Sequence, residues 1–393
     1  MELGWVDFSK TERDKVLNIL DLLEVQGVLD ELGIAPIRDG YSNLFFPGTT
    51  TIQTRAKYFF IVPYAFRDLE FSRNFNYLKL KKDLENTENN CAKIFLGNNP
   101  DESGVIGRRA IQSNSWVKRP PSSIYWAGLR KYGFFKGKMS IDQYVKYIAF
   151  QKQNNANDRN LGNSSDESHD DKSAGDNQKI NLFNIPTYRK DWMDNLEMKL
   201  TYDEGQFLKT QITDTCPNSI IGQVLKNNMY EFLDLTSFSD IEAIVDKFPE
   251  DIQKDYGKAR DFSEFTFALN VVYNMIVSQN RNRKANKEFS SLDLKEVSAI
   301  DIDYIMNSLK IFNPYLRRFL NDSKSAMEDD NLDELERVIC NREIFLKGPN
   351  RSKTAHPGEY DTDRWFVGDR LDYRFTIART IVSDIYESEE DGD

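Results

Sequence analysis

The sequence predicts a mainly α protein in two parts, and three observations carry that prediction. Four capping boxes stand ahead of apolar stretches: Ser9/Glu12, Ser140/Gln143, Thr201/Glu204 and Ser239/Glu242. In each, a Ser or Thr and the Glu or Gln three residues on satisfy each other's backbone N–H groups. Several long segments place apolar residues at the one-face spacing of a helix, and strand-like alternation is scarce. Finally, residues 151–180 (QKQNNANDRNLGNSSDESHDDKSAGDNQKI) are almost wholly polar. Such a tract buries too little apolar surface to offset its ordering entropy, so a disordered linker or an insertion is expected there. It separates a basic helical domain, 1–150, from an acidic helical domain, 181–393.

Taken in order, the first element follows Ser9, where Val16, Ile19, Leu20 and Leu23 share a face. In LFFPGTTTIQTRAKYFFIVPYAF (44–66), Pro47-Gly48 breaks the chain and the threonines offer an N-cap. Ile52, Ala56, Phe59 and Phe66 then fall near one face, with Arg55 among them. An arginine beside an apolar face needs a carboxylate, because an unpaired buried charge is costly. Asp7, Asp39 and Asp68 are the candidates, and a structural ion pair is the preferred reading of Arg55. GVIGRR (104–109) and YGFFKG (132–137) suit a short β-ribbon.

In VKRPPSSIYWAGLRKYGFF (117–135), Pro120-Pro121 forces an extended lead-in and Ser122 or Ser123 can cap a helix. Gly133 fits the left-handed stop. A helix, a tight basic turn and a second helix after a ribbon are compatible with a winged-helix-like unit, a layout that many helical bundles share. Beyond the polar tract, 265–277, 303–320, 332–346 and 371–385 read as helices, the second interrupted at Pro314.

Composition restricts the function classes. No signal peptide is evident at MELGWVDFSK, and the longest apolar runs fall short of the roughly 20 residues of a membrane span. Three scattered cysteines, Cys91, Cys216 and Cys340, suit reduced thiols in the cytoplasm. The net charge of −11 conceals an asymmetry: residues 51–140 hold 16 Lys/Arg against 7 Asp/Glu. The balance there is 16 − 7 = +9, which gives an acidic molecule one region of positive field.

Motifs for nucleotide binding, zinc binding and acyl transfer are missing, so no cofactor and no catalytic residue is assigned. Of two histidines, His169 lies in the polar tract and only His356 could serve a catalytic pair. HPGEYDTD (356–363) brings together potential metal ligands, but polar loops generate such runs readily and a solvated loop is the preferred reading. The stronger signal is for nucleic acid, which Lys and Arg bind by displacing counterions. Arg108, Arg109, Lys118, Arg119, Arg130 and Lys131 are the candidate nucleic-acid-binding residues, with Lys136 and Lys138 beyond them. Trp116, Tyr125, Trp126 and Tyr132 are interleaved, and core packing is favoured for Tyr125 and Trp126. A second basic loop, LKGPNRSKT (346–354), adds Lys347, Arg351 and Lys353.

The stretches 3–23, 30–70, 118–135 and 371–385 resemble an uncharacterised bacterial family, the domain of unknown function 6361, with PGTTTIQTRAKY as the most specific mark. The resemblance implies a place in genomic islands that defend against phage or mobile DNA. It also implies neighbours such as a helicase or a phospholipase-D-like nuclease. The expected function is a non-catalytic, nucleic-acid-contacting or adaptor subunit that meets DNA or RNA weakly through phosphates and uses no membrane. A protein–protein scaffold docking through the acidic C-terminal part is one alternative. An enzyme with an unrecognised site, around His356 or Arg55, is the other.

Overall fold

The computed structural model describes residues 30–113, 117–161, 182–186 and 188–390. The protein is mainly helical. Among the described residues there is no strand, and β pairing is limited to an isolated antiparallel bridge between Phe135 and Phe183. Two compact units form, each from segments that are separated in sequence. Of the described residues, the larger takes those within Arg38–Asp261 and 371–390; the smaller takes Phe262–Arg370 and 30–37. The first capping box, Ser9/Glu12, and its helix lie outside the described residues, as do Trp116 and most of the polar tract.

The larger unit is built around helix α2 (Tyr58–Phe71), which follows α1 (Ala35–Phe45). Tyr58, Phe59, Phe60, Ile61, Val62 and Ala65 are all buried, and a helix apolar on every side belongs in the middle of a core. Around it stand α3 (Tyr77–Asn98), the short α4 (Arg108–Gln112), α5 (Pro121–Lys131) and α6 (Ile141–Leu161). The polar tract therefore begins as helix. Ser140 and Gln143 form the expected reciprocal cap, with Ser140 N donating to Gln143 Oε1 at 2.8 Å. The core is largely aromatic: Phe59 meets Tyr125, Tyr132 and Phe134, while Phe66 meets Trp126, Tyr144 and Phe183.

Helices α7 (Tyr202–Thr215) and α8 (Ile220–Lys226) follow, then two 3-10 helices, Tyr230–Asp234 and Phe238–Lys247. Thr201 and Glu204 make the expected capping box. At 239/242 the expectation fails by two residues: Ser237 and Asp240 form the box, because the helix starts at Phe238. Helix α9 (Glu250–Ser278) runs from the larger unit's segment into that of the smaller.

The smaller unit adds α10 (Arg283–Ser291), α11 (Leu294–Val297), α12 (Ile302–Ser308), α13 (Pro314–Glu328) and α14 (Leu332–Lys347). Pro314 divides the 303–320 segment by starting a helix rather than kinking one. It occupies the first turn, where its missing N–H costs nothing, behind an Asn313 cap. Helix α15 (Phe375–Glu390) returns to the larger unit, packing on α7, α8 and Tyr230–Asp234.

The ribbon and the winged-helix-like unit do not form. Residues 104–107 are turn and irregular backbone, Arg108 already begins α4, and Phe135 pairs with Phe183 rather than with 104–109. Gly104 and Gly107 adopt φ of +74° and +84°, a left-handed backbone that breaks strand geometry.

Candidate nucleic-acid interface

The basic segment owes its shape to buried partners. Helix α5 begins at Pro120-Pro121 without a cap from Ser122 or Ser123. Its cap comes instead from Glu88 on α3, whose carboxylate accepts from the Ser122 backbone N–H at 2.5 Å and from its hydroxyl at 3.2 Å. Burial pushes the Glu88 carboxyl up to about 7, against the hydrogen bonds from Ser122 that lower it. Gly133 closes the helix end at φ +74°, as its position predicts. Tyr125, Trp126, Tyr132, Phe134 and Phe135 are all buried. The aromatics of this segment are core, and no base can stack on them.

Its cations have the opposite fate. Arg109, Lys118, Arg130 and Lys131 are exposed, as are Lys136 and Lys138. None of these six has an ion-pair partner among the described residues. The sequence from 104 to 138 contains no Asp or Glu at all. A Cβ at Gly107 would lie 2.4 Å from Val117, so the turn carrying Arg108 and Arg109 abuts the one carrying Lys118 and Arg119. Arg108 and Arg119 are half-buried, and Arg108 donates to the Pro100 carbonyl at 2.8 Å. Arg130 and Lys131 sit in the last turn of α5, where they also complement the helix dipole. That turn is about 15 Å along the helix axis from Pro121.

Arg55 belongs to a different network. It pairs with Asp384 on α15 at 2.8 Å and approaches Glu102 at 3.6 Å. None of the three expected partners serves: Asp7 lies outside the described residues, Asp39 pairs with Arg38 and Arg374, and Asp68 accepts from Tyr188 and Trp192. Asp384 also accepts from the Ala56 N–H at 2.6 Å. Burial raises its carboxyl to about 6, and Arg55 limits the rise. Lys57 pairs with buried Glu204 at 2.7 Å. The Tyr125 hydroxyl accepts from the N–H groups of Thr54 and Arg55 and donates to the Arg55 carbonyl. The threonines do not cap α2, which starts behind Lys57, and Ile52 is exposed ahead of it. The polar groups of the 47–57 loop are thus largely paired within the fold, Thr50 Oγ1 being a buried exception without a hydrogen-bond partner.

The second basic loop is also turned inward. Lys347 and Lys353 both grip buried Glu31, the latter at 2.6 Å. Lys347 reaches Glu343 at 2.8 Å as well, and burial with Lys353 nearby lowers its ammonium to about 8. Glu343 further accepts from Tyr273, Ser352 and the Thr354 N–H. Only Arg351 of the three cations is exposed. In HPGEYDTD, His356 lies 3.8 Å from Glu359, and no group of three potential ligands converges among the described residues. The polar residues that sequence reasoning missed, Glu88, Glu343 and Asp384, are buried acids, each with at least one partner distant in sequence: Ser122, Tyr273 and Arg55 respectively.

Fold and site together define a helical protein of two compact units, carrying an acid-free segment in which six cations are exposed and, among the described residues, lack ion-pair partners. The chain belongs to DUF6361, a family of unknown function whose model matches residues 1–339. No curated protein and no solved structure matches it. No described helix is long and apolar enough to cross a membrane.

Proposed function

We propose that the protein contacts nucleic acid through phosphates, as a non-catalytic subunit that holds DNA or RNA for partners. The carrying observation is the contrast among its cations. Arg55, Lys57, Lys347 and Lys353 are consumed by buried carboxylates, whereas Arg109, Lys118, Arg130 and Lys131 face solvent unpaired in a segment with no acid. Unpaired surface cations at both ends of one helix suit the displacement of counterions from a polyanion. With Tyr125, Trp126 and Tyr132 buried, the described residues of this segment offer charge without exposed aromatic rings, which favours contact with little sequence preference. A role in defence against phage or mobile DNA, beside a helicase or a phospholipase-D-like nuclease, is the part of the proposal that rests on family resemblance.

The test is anisotropy with labelled duplex at several salt concentrations. Four neutralised phosphates predict a slope of log K on log salt of roughly −3 to −4. The variant R109E/K118E/R130E/K131E is expected to lose binding while keeping the wild-type melting temperature. Absence of wild-type binding at low salt, or a flat salt dependence, would overturn the proposal.

A further inference from the structure

The smaller unit exposes an aromatic stack that the proposal above does not use. Helices α13 and α14 pack together, and the first turn of one meets the last turn of the other. There Tyr315 and Phe345 lie ring on ring, with centroids 5.2 Å apart and planes 29° from parallel. The two residues are 62% and 61% exposed, and Phe312, just ahead of α13, is 80% exposed. Large apolar side chains exposed singly are ordinary, but a grouped set of rings marks a contact surface.

The pair is held rigidly from beneath. Arg342 is buried, donating from Nε to the Leu32 carbonyl at 2.9 Å and from Nη1 to the Tyr315 carbonyl at 3.4 Å. Its guanidinium carbon lies 5.1 Å from the Phe319 ring centroid and 6.0 Å from that of Phe345. One guanidinium therefore fixes the backbone under one ring and braces the other. Burial lowers the Arg342 pKa from its ordinary value.

Charge selects the occupant. Arg318, one turn along α13 from Tyr315 and so beside it, is exposed without an ion-pair partner among the described residues. Lys310, two residues before Phe312, is likewise exposed and unpaired. Of the nearby carboxylates, Asp303 pairs with Arg317 and Glu343 lies in its buried network, while exposed Asp322 stands one turn beyond Arg318 without reaching ion-pair distance. Aromatic faces flanked by uncommitted cations match the chemistry of single-stranded nucleic acid, whose bases stack on rings while cations track its phosphates. We propose that Tyr315 and Phe345, extended by Phe312, form a stacking platform for the bases of single-stranded DNA or RNA, with Arg318 and Lys310 on its backbone. This site is separate from the phosphate-contacting face of the larger unit and does not depend on it.

Full-length protein titrated with labelled oligo(dT), and with an abasic oligomer of equal length and charge, separates stacking from phosphate contact. The wild type should bind oligo(dT) at least about tenfold more tightly than the abasic oligomer. Tyr315→Ala/Phe345→Ala should abolish that preference and leave abasic binding unchanged, while Tyr315→Trp should retain it. The R109E/K118E/R130E/K131E variant should keep the preference even where it loses duplex binding, so the two proposals fail separately. Equal wild-type binding of both oligomers, or a preference that survives the double alanine change, overturns the platform. So does a wild type that sediments as a dimer when the double variant is a monomer, which would make the stack an interface between copies.

Discussion

Glu88 and Asp384 are interior carboxylates, and each takes a backbone N–H that the local chain cannot satisfy. Asp384 has Arg55 beside it; Glu88 is held by Ser122 alone. Burial places the folded-state pKa of Glu88 at about 7, above the ordinary glutamate value of 4.5. Between those values the folded state binds more protons than the unfolded chain, so stability falls as pH rises through this window. Glu88→Gln keeps an acceptor for the Ser122 N–H and a donor for its hydroxyl, and it cannot ionise. The variant should therefore gain stability relative to wild type as pH is raised from 5 to 8. Denaturant melts at the two pH values check this; a stability difference between variant and wild type that is the same at pH 5 and pH 8 would mean that Glu88 does not titrate there. None of this could be read from the sequence around Glu88, where ENTENN looks like the polar face of a surface helix.

At the scale of elements, α5 shows what local signals reveal and where they stop. Its start at Pro120-Pro121, its stop at Gly133 and the core role of Tyr125 and Trp126 are all legible, because proline, glycine and buried aromatics act on their own turn of chain. Its cap is not legible, since the carboxylate comes from 34 residues away. The same competition misplaced the threonines of 49–51: the Thr49 hydroxyl donates to the Phe46 carbonyl, closing the turn behind α1. Trp126 packs on Phe66, Phe135 and Phe183 and donates from Nε1 to the Met139 carbonyl at 3.2 Å. Trp126→Ala should accordingly cost about 3–5 kcal/mol. Chemical denaturation measures it, and a loss under about 1 kcal/mol would place the ring outside the cooperative core. The exposed cations were legible as residues; their lack of partners was not, because pairing depends on which distant acids fold back.

For the whole molecule, helical periodicity was enough to establish a mainly α architecture, but the order of the chain concealed how its segments combine. Arg55 finds Asp384 across 329 residues and Lys353 finds Glu31 across 322, separations over which composition carries no pairing information. Helix α15 contributes Phe375, Ala378, Ile381, Val382 and Ile385 to the interior of the larger unit, besides the Asp384 carboxylate. A chain ending at Arg370 should lose the larger unit's cooperative unfolding transition, and hydrogen exchange in Tyr58–Phe71 should then approach unprotected rates. Native-like protection there would show that α15 is dispensable. The position of that helix also orders events in time. Translation runs at about 5–20 residues per second, so Arg55 waits on the order of tens of seconds for its acid to be synthesised. Throughout that interval Asp384 does not yet exist, and the nascent chain presents an incomplete aromatic core to whatever attends the ribosome. The smaller unit waits almost as long, for Lys353 follows its partner Glu31 by 322 residues. Each unit thus joins early segments to late ones, and the long delay makes both natural clients for chaperones during synthesis.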